Sequence, residues 1–228
     1  MLRGVIFDID GTLVDSNEAH ARSWVDALHE AGYDVPFDIL WPMIGMGGDK
    51  LLPSAIGIES DSAFGKQLSK RRWEIFERDY LPRLKPTRGA RELVERMKRD
   101  DLVMIVASSA SGNELGSLME AANVADLMQK KTSSSDAEDS KPDPDIVQAA
   151  VRKTGLEPDE LIMVGDTPYD VQAAIGANVK LVGLLCGGWT MLELSGATAI
   201  YDDPEDLLRW YDYSPFAVKA LAGKGASR

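Results

Sequence analysis

The sequence predicts an α/β fold: a parallel sheet with helices on both faces, interrupted by an inserted all-helical segment. Two observations support this prediction. In the second half of the chain, short apolar runs of strand length alternate with segments of helical periodicity, an order typical of parallel sheets covered by helices. The stretch 16–83 breaks this alternation, because it is rich in Trp, Leu, Ala and charged residues and has no convincing strand pattern.

Six apolar runs bounded by turn residues are candidate strands, and the third and sixth are the weaker ones. In chain order they are 2–7, 102–107, 127–130, 161–164, 180–184 and 199–201. Four segments of helical periodicity lie between them, at 88–98, 113–122, 144–154 and 168–174. The polar stretch 132–140 is predicted to be a loop.

The order of these elements divides the chain into a core and an insertion. Residues 1–15 and 84–221 form the predicted α/β core, and residues 16–83 form the helical insertion. Four prolines within the insertion would break helices, namely Pro36, Pro42, Pro53 and Pro82. The last residues, 222–228, are predicted to be a flexible tail.

The composition limits the partners of the protein. Asp and Glu number 37 against 25 Lys and Arg, a net charge of −12, which repels a nucleic-acid backbone. No run approaches the roughly 18 apolar residues of a membrane helix, and the N-terminus leads into a strand pattern without a signal-peptide stretch. We therefore expect a cytoplasmic protein with no nucleic-acid or membrane partner. The sequence makes no prediction of oligomeric state.

Few residues are suited to soft metals. Cys186 is the only cysteine, so it can form neither an internal disulfide nor a thiolate cluster. His20 and His29 are the only histidines, which excludes a histidine-rich metal site. Because Cys186 follows an apolar strand, we predict that it is buried and unreactive.

Two aspartates follow the first predicted strand. Asp8 and Asp10 stand in the sequence FDIDGT, and side chains two residues apart in a strand point to the same face. Ligands of parallel sheets bind at the carboxyl ends of the strands, where these residues lie. The two aspartates therefore form either a functional pair or the caps of a turn.

Hydroxyls and a lysine occur at comparable positions further along the chain. Ser108 and Ser109 follow the second strand, where they fit an ST turn or a helix start as well as a binding site. Lys141, in the sequence SKPDP, precedes the helix 144–154 and alone would be interpreted as a solvated loop lysine.

Two more aspartates follow the fourth strand, in the sequence GDTPYD. Thr167 and Asp170 have the spacing of a helix capping box, with Pro168 at the first helical position. Capping is therefore an alternative role for Asp170. Asp166 precedes the N-cap residue Thr167, so helix capping is a weaker explanation for Asp166.

Together the strand ends bring four carboxylates, one or two hydroxyls and one lysine to one edge of the sheet. Carboxylates at close range repel each other and raise each other's pKa. Lys141 and a hard divalent cation are the natural counter-charges. Mg²⁺ fits best, because it binds through a few carboxylates together with substrate phosphate and water.

The order of these motifs resembles that of the haloacid dehalogenase superfamily. The matching motifs are DxDGT at 8–12, the serine after the second strand, the lysine of SKPDP and GDxxxD at 165–170. Within the superfamily the chain looks like the branch that contains phosphoglycolate phosphatase and β-phosphoglucomutase. The resemblance implies a Rossmann-like core, a helical cap inserted after the first motif, and hydrolysis of a small phosphorylated metabolite.

The same resemblance implies roles for the aspartates. Asp8 is the expected nucleophile, which forms an aspartyl-phosphate, and Asp10 is the expected general acid and base. The expected magnesium ligands are Asp8, the backbone carbonyl of Asp10 and Asp166, with Asp170 in support. A carboxylate nucleophile and a neighbouring acid and base are a recognised chemical strategy for dividing one difficult step into two.

Phosphoryl binding is expected from Ser108, Lys141 and, as a further candidate, Ser109. Asp10 argues against cleavage of carbon–halogen bonds, because members with that activity lack the second aspartate. A phosphatase and a sugar-phosphate mutase both need Asp8 and Asp10, so these two residues leave the choice open.

The insertion carries candidate substrate contacts. Gly47, Gly48 and Lys50 lie in the sequence IGMGGDK at 44–50, although Lys50 also fits a solvated lysine. In the mutase an arginine of this loop grips the second phosphate of the substrate. The loop here resembles the phosphatase version, which favours hydrolysis. A β-phosphoglucomutase-like mutase stays the alternative, and a catalytically silent phospholigand-binding relative is a third.

Three other features of the insertion can be explained by a structural role alone. His20 is either a substrate-side residue or a surface or hinge histidine. Trp24 is predicted to pack inside the insertion. The basic run Lys70-Arg71-Arg72 is predicted to be a solvated helix face.

Overall fold

The computed structural model describes residues 1–128 and 130–217. Within these residues six strands form one sheet in the spatial order β3-β2-β1-β4-β5-β6, and every neighbouring pair is parallel. The strands are β1 Gly4–Phe7, β2 Val103–Ala107, β3 Lys130–Thr132, β4 Leu161–Gly165, β5 Lys180–Leu184 and β6 Ala199–Tyr201. The predicted parallel α/β fold is confirmed.

Nine α-helices accompany the sheet in the described residues. They are α1 Asn17–Glu30, α2 Phe37–Leu40, α3 Gly48–Ile56, α4 Ala63–Ile75, α5 Ala90–Arg99, α6 Gly112–Ala121, α7 Asp145–Thr154, α8 Pro168–Gly176 and α9 Pro204–Arg209. Helix α4 continues as a π-helical turn over Phe76–Tyr80. The four helices predicted between strands of the core correspond to α5 to α8, with ends that differ by a residue or two.

Both faces of the sheet are buried. In β1, Val5 and Phe7 belong to one apolar cluster and Ile6 belongs to the other, as the alternation of side chains in a strand requires. Helix α5 contributes Leu93 to the first cluster, and α7 contributes Val147 to the second. Because β1 lies between β2 and β4, the residues that follow it lie near the middle of the sheet's carboxyl edge.

Two sequence-based boundaries near β3 are wrong. The strand begins at Lys130 and not at 127. Leu127 and Met128 are apolar because they pack in the first apolar cluster, and they are not part of β3. Thr132, which we assigned to a polar loop, is the last residue of β3. Its side chain is fully buried, and its Oγ1 donates a hydrogen bond of 2.9 Å to the backbone oxygen of Val106. The predicted tail 222–228 lies outside the described residues.

The stretch 16–83 contains helices α1 to α4 and, in the described structure, none of the named strands. It has its own apolar cluster, which includes Trp24, Leu28 and Leu52. The prediction that Trp24 packs inside the insertion is confirmed. The chain leaves and re-enters the core at neighbouring points, since the backbone N of Asp15 donates a hydrogen bond of 3.0 Å to the oxygen of Lys85.

Across residues 1–128 and 130–217, the structure contains no helix with the length and apolar character needed to cross a membrane.

Candidate active site

Asp8 lies directly after β1 and is buried. Its backbone N donates a hydrogen bond of 2.9 Å to the oxygen of Val164 in β4, which fixes the residue between two central strands. The ammonium of Lys141 donates hydrogen bonds to Oδ1 of Asp8 and to Oδ1 of Asp170, the latter at 2.8 Å. Lys141 is only 2% exposed, so the solvated-loop interpretation is wrong.

Three buried carboxylates surround this lysine. Ligand atoms of Asp8, Asp166 and Asp170 all lie within 4.8 Å of one another. Burial raises the pKa of Asp8 well above its usual value despite the nearby Lys141. Burial and the charge of Asp170 raise the pKa of Asp166 to about 8. One lysine cannot neutralise three carboxylates, and the all-oxygen donor set fits a hard divalent cation such as Mg²⁺.

Asp166 is held by side chains from two other elements. Thr12 Oγ1 donates a hydrogen bond of 2.6 Å to Oδ1, and Asn17 Nδ2 donates one of 2.8 Å to Oδ2. Asn17 also donates to the backbone oxygen of Gly187 at 3.0 Å. A Cβ on Gly187 would lie 1.7 Å from Asp166 Oδ2, so only glycine fits there. The sequence analysis missed Asn17, because a polar residue at a helix start has no local feature that points to a distant aspartate.

Asp170 has both of the roles that its sequence position allows. Its Oδ2 accepts a hydrogen bond of 3.0 Å from the backbone N of Thr167, and its backbone N donates one of 3.1 Å to Thr167 Oγ1, which together form a capping box at the start of α8. Its Oδ1 accepts the hydrogen bond from Lys141. Capping therefore fixes the carboxylate in the acidic cluster.

Asp10 faces the helical insertion. Its Oδ1 accepts a hydrogen bond of 2.5 Å from Ser16 Oγ and lies 2.7 Å from Nε2 of His20. Burial raises the pKa of Asp10, but the charge and hydrogen bond of His20, together with Ser16, outweigh this effect and hold the pKa below its usual value. The His20 ring stacks on Phe76 with ring centroids 4.3 Å apart. His20, whose side chain is 14% exposed, is thus a partly buried partner of Asp10, a contact that the sequence analysis did not predict.

One cavity of about 90 Å³ joins these groups. Asp8, Asp10, Lys141 and both candidate serines line it. Ser108 Oγ accepts a hydrogen bond of 3.1 Å from the backbone N of Ala110. Ser109 Oγ is buried and has no hydrogen-bond partner among the described residues. A hydroxyl without a partner in this position is available to a polar ligand.

The insertion closes the cavity from the other side. Gly47, Gly48 and Trp24 line the cavity. Lys50, our other candidate contact in this loop, does not line it. Its ammonium instead pairs with Asp139 at 2.6 Å and with Asp143 at 2.9 Å, both in the loop around Lys141.

The prediction of a solvated basic face at 70–72 is wrong for Arg72. Its side chain is 13% exposed, lines the cavity and pairs with Glu114 of α6 at 3.2 Å. The guanidinium carbon lies 5.3 Å from the ring centroid of Trp24, a cation–π contact, while Nε and Nη1 are buried without a hydrogen-bond partner among the described residues. Arg71 fits the prediction better, because it forms ion pairs with Glu30 and Glu74 at the surface.

Cys186 is partly buried beside the site. Its thiol donates a hydrogen bond of 3.2 Å to the backbone oxygen of Gly11. Burial and the charge of Asp166 raise the pKa of the Cys186 thiol, which keeps it protonated and unreactive at neutral pH.

Residues 5–184 match the protein family described as haloacid dehalogenase-like hydrolase. The chain belongs to this family. Phosphoglycolate phosphatase of Escherichia coli (strain K12) is 27% identical over 91% of this chain and 91% of its own. A hydrolase from Pseudomonas syringae has a TM-score of 0.86 at 30% identity, covering 93% of this chain and 99% of that one. The haloacid dehalogenase-like chain described here is therefore a hydrolase of the phosphatase type.

A plant relative is much longer. The chloroplastic protein SUPPRESSOR OF QUENCHING 1 of Arabidopsis thaliana is 32% identical over 87% of this chain, and the chain spans 19% of that protein's length. The similarity therefore concerns one part of the plant protein.

Proposed function

We propose that this protein is a magnesium-dependent phosphomonoester hydrolase that acts on a small phosphorylated metabolite through an aspartyl-phosphate on Asp8. One observation carries the proposal: a single cavity brings together a buried nucleophile candidate, a neighbouring acid and base, and a buried lysine. Two further carboxylates beside Asp8 complete a donor set suited to a divalent cation.

In the first step, an oxygen of Asp8 forms a bond to phosphorus while the bond from phosphorus to the leaving oxygen breaks. Asp10 donates a proton to that leaving oxygen. Lys141 and Ser108 bind the phosphoryl oxygens. The charge of Asp170 and Asp8 outweighs burial and raises the pKa of Lys141, so its positive charge is available for this task.

In the second step, Asp10 accepts a proton from water, the water oxygen attacks phosphorus, and phosphate leaves while the Asp8 carboxylate is restored. The contacts from Ser16 and His20 are both to Oδ1 of Asp10, so Oδ2 is the oxygen that we expect to carry the proton. Mg²⁺ held by Asp8, Asp166 and the Asp10 carbonyl, with Asp170 in support, would supply positive charge to the phosphoryl oxygens.

We assign the helical insertion, residues 16–83, the role of a cap over the predicted core of 1–15 and 84–221, of which residues 218–221 lie outside the described structure. Residues of the insertion line the cavity opposite the catalytic pair, and its two connections to the core run side by side. Such an element excludes bulk water and adds substrate contacts when it closes.

The names of the relatives support a small phosphorylated substrate. The catalytic groups line a cavity of about 90 Å³, and a second cavity of about 480 Å³ shares Trp24, Arg72 and Ser109 with it, so the substrate has room beyond the reacting phosphoryl group. The relatives named phosphoglycolate phosphatase make phosphoglycolate the first compound to test. We retain the sequence-based prediction of a cytoplasmic enzyme without a nucleic-acid or membrane partner.

The mutase alternative has less support. The ground for this is the loop at 44–50, whose single cation, Lys50, is already paired with two aspartates. Arg72 is a second cation of the insertion that lines the cavity, and its Nε and Nη1 have no hydrogen-bond partner among the described residues. The loop therefore favours transfer of the phosphoryl group to water, and an assay with a sugar phosphate tests transfer to a sugar hydroxyl directly.

A phosphate-release assay tests the proposal. Phosphorylated metabolites, including phosphoglycolate, are incubated with the protein with and without Mg²⁺, and β-glucose 1-phosphate with a bisphosphate primer tests the mutase. We expect phosphate release that requires Mg²⁺. Isomerisation of the sugar phosphate without net phosphate release would identify a mutase, and the absence of both reactions would indicate a silent binding relative.

A further inference from the structure

A segment of the insertion holds the loop that carries Lys141. The segment is residues 47–50, hereafter the clasp, and the loop is residues 139–143, hereafter the lysine loop. Asp49 Oδ1 accepts a hydrogen bond of 2.5 Å from Ser140 Oγ, and Asp49 Oδ2 accepts one of 3.3 Å from the backbone N of Ser140. A single carboxylate thus binds both polar donors of the residue that precedes Lys141.

The approach of the clasp to the lysine loop is close. The backbone N of Gly47 donates a hydrogen bond of 3.1 Å to Ser140 Oγ, and a Cβ on Gly47 would lie 2.4 Å from the same oxygen. At the edge of this contact, the ammonium of Lys50 pairs with Asp139 and Asp143. The clasp therefore contacts residues on both sides of Lys141 in the sequence.

Ser140 makes few other hydrogen bonds within the lysine loop. Within the loop, the backbone N of Asp143 donates a hydrogen bond of 3.1 Å to the oxygen of Ser140. The N–H of Ser140 donates to Asp49, which belongs to the insertion and not to the core, and the hydroxyl donates to Asp49 at 2.5 Å and more weakly to the backbone oxygen of Lys141 at 3.5 Å. Since hydrogen bonds to a carboxylate are stronger than those between neutral groups, removal of Asp49 frees the backbone next to Lys141.

We propose that Asp49 is a positioning residue, which acts through Ser140 to fix the loop that carries Lys141 while the insertion lies on the core; the ammonium itself is bound by the core carboxylates of Asp8 and Asp170. This inference rests on the proposed role of Lys141 in phosphoryl transfer. It makes the precise placement of the phosphoryl-binding lysine depend on cap closure: with an open cap Lys141 keeps its partners Asp8 and Asp170 but loses the contact that fixes its loop.

Asp49 also has a purely structural role, and the experiment must distinguish it from the positioning of Lys141. It lies in the first turn of α3, where a negative charge stabilises the helix. Loss of that effect lowers thermal stability without changing the chemical step. A positioning role instead lowers kcat and kcat/KM together, because the lost contact matters in the transition state.

The experiment compares four variants under saturating Mg²⁺. Asp49→Ala removes both acceptor oxygens, whereas Asp49→Asn retains one. Tyr169→Phe is the matched control, because the Tyr169 hydroxyl donates to the backbone oxygen of Pro42 and so joins the insertion to the core away from the lysine loop. Lys141→Met measures how strongly kcat depends on the lysine itself.

We expect Asp49→Ala to lower kcat about ten- to hundredfold, the range of a lost hydrogen bond to a charged group. We expect Asp49→Asn to fall between Asp49→Ala and the parent, and Tyr169→Phe to remain within about twofold of the parent. The inhibition constant of inorganic phosphate should rise in Asp49→Ala, and hydrogen exchange at the Ser140 amide should accelerate.

The outcomes distinguish this inference from the proposed function. If Lys141→Met is inactive but Asp49→Ala has the kcat of Tyr169→Phe, the positioning role is wrong and the proposed function stands. An inactive parent, or a Lys141→Met variant with parental activity, overturns the proposed function and the inference with it.

Discussion

Nε2 of His20 lies 2.7 Å from Oδ1 of Asp10, and this contact joins the first helix of the insertion to the proposed acid and base. The His20 ring also stacks on Phe76 at the end of the insertion. His20 is therefore fixed by packing on one side and by a carboxylate on the other. The contact gives the insertion a direct influence on the protonation of Asp10.

Replacement of His20 should shift the pH dependence of activity. The charge and hydrogen bond of His20 overcome the effect of burial and keep the pKa of Asp10 low, so Asp10 stays a carboxylate as the pH falls. Without the imidazole that pKa rises. Since Asp10 must carry a proton in the first step, the limb of the kcat/KM profile at which that proton is lost moves to higher pH. We expect His20→Ala to shift the limb more than Ser16→Ala, which removes only a hydrogen bond. A limb that does not move in His20→Ala would show that Asp10 does not control it.

Magnesium affinity should depend more on Asp166 than on Asp170. Removal of a direct carboxylate ligand deletes both a donor and a charge, whereas a supporting residue typically changes metal affinity by about 10- to 100-fold. We expect Asp166→Asn to exceed that range and Asp170→Asn to fall within it. Asp170→Asn should also lower thermal stability, because Lys141 loses one of its two carboxylate partners. Magnesium titrations of activity check this order, and equal or reversed losses would contradict it.

Two adjacent glycines of the clasp should respond differently to an added methyl group. A Cβ on Gly47 would lie 2.4 Å from Ser140 Oγ and 2.5 Å from Asp49 Oδ1, whereas a Cβ on Gly48 would lie 3.6 Å from the nearest atom of Trp24. We expect Gly47→Ala to lower the free energy of unfolding by about 1–3 kcal/mol. Gly48→Ala should be neutral within about 0.5 kcal/mol. Urea unfolding of both variants measures the difference, and equal effects would mean that the clasp is not packed as described.

Two adjacent arginines provide a similar comparison. Arg71 makes surface ion pairs, which contribute roughly 0–1 kcal/mol, so Arg71→Met should change stability little. Arg72→Met should lower the free energy of unfolding by about 2 kcal/mol, because it removes the partner of Glu114 and a cation–π contact with Trp24. Thermal and urea unfolding test this ranking. A larger loss for Arg71→Met would contradict the packing described for Arg72.

The sequence was sufficient to predict the sheet, the helical content of residues 16–83 and the grouping of Asp8 with Asp166. These features depend on local periodicity and on the rule that parallel strands present their carboxyl ends at one edge. The contacts of Arg72 and Lys50 were not predicted, because a charged residue on an amphipathic helix has the same local pattern whether it faces solvent or another domain. For Asn17 and Asp49, the partner lies far away in sequence and no local feature identifies it. Thr132 was assigned to a loop because hydroxyl residues favour turns, but pairing with β2 buries it.

The central claim is that Asp8 is the covalent nucleophile, and the turnover of the Asp8→Asn variant with Mg²⁺ tests it most directly. The amide has nearly the shape of the carboxylate, so the fold should persist, as circular dichroism and thermal unfolding would verify. The amide is a poor nucleophile, and we expect a loss of kcat of at least about a thousandfold, the scale of removing a group that acts directly in the chemical step. A folded Asp8→Asn variant with activity within tenfold of the parent would contradict the account.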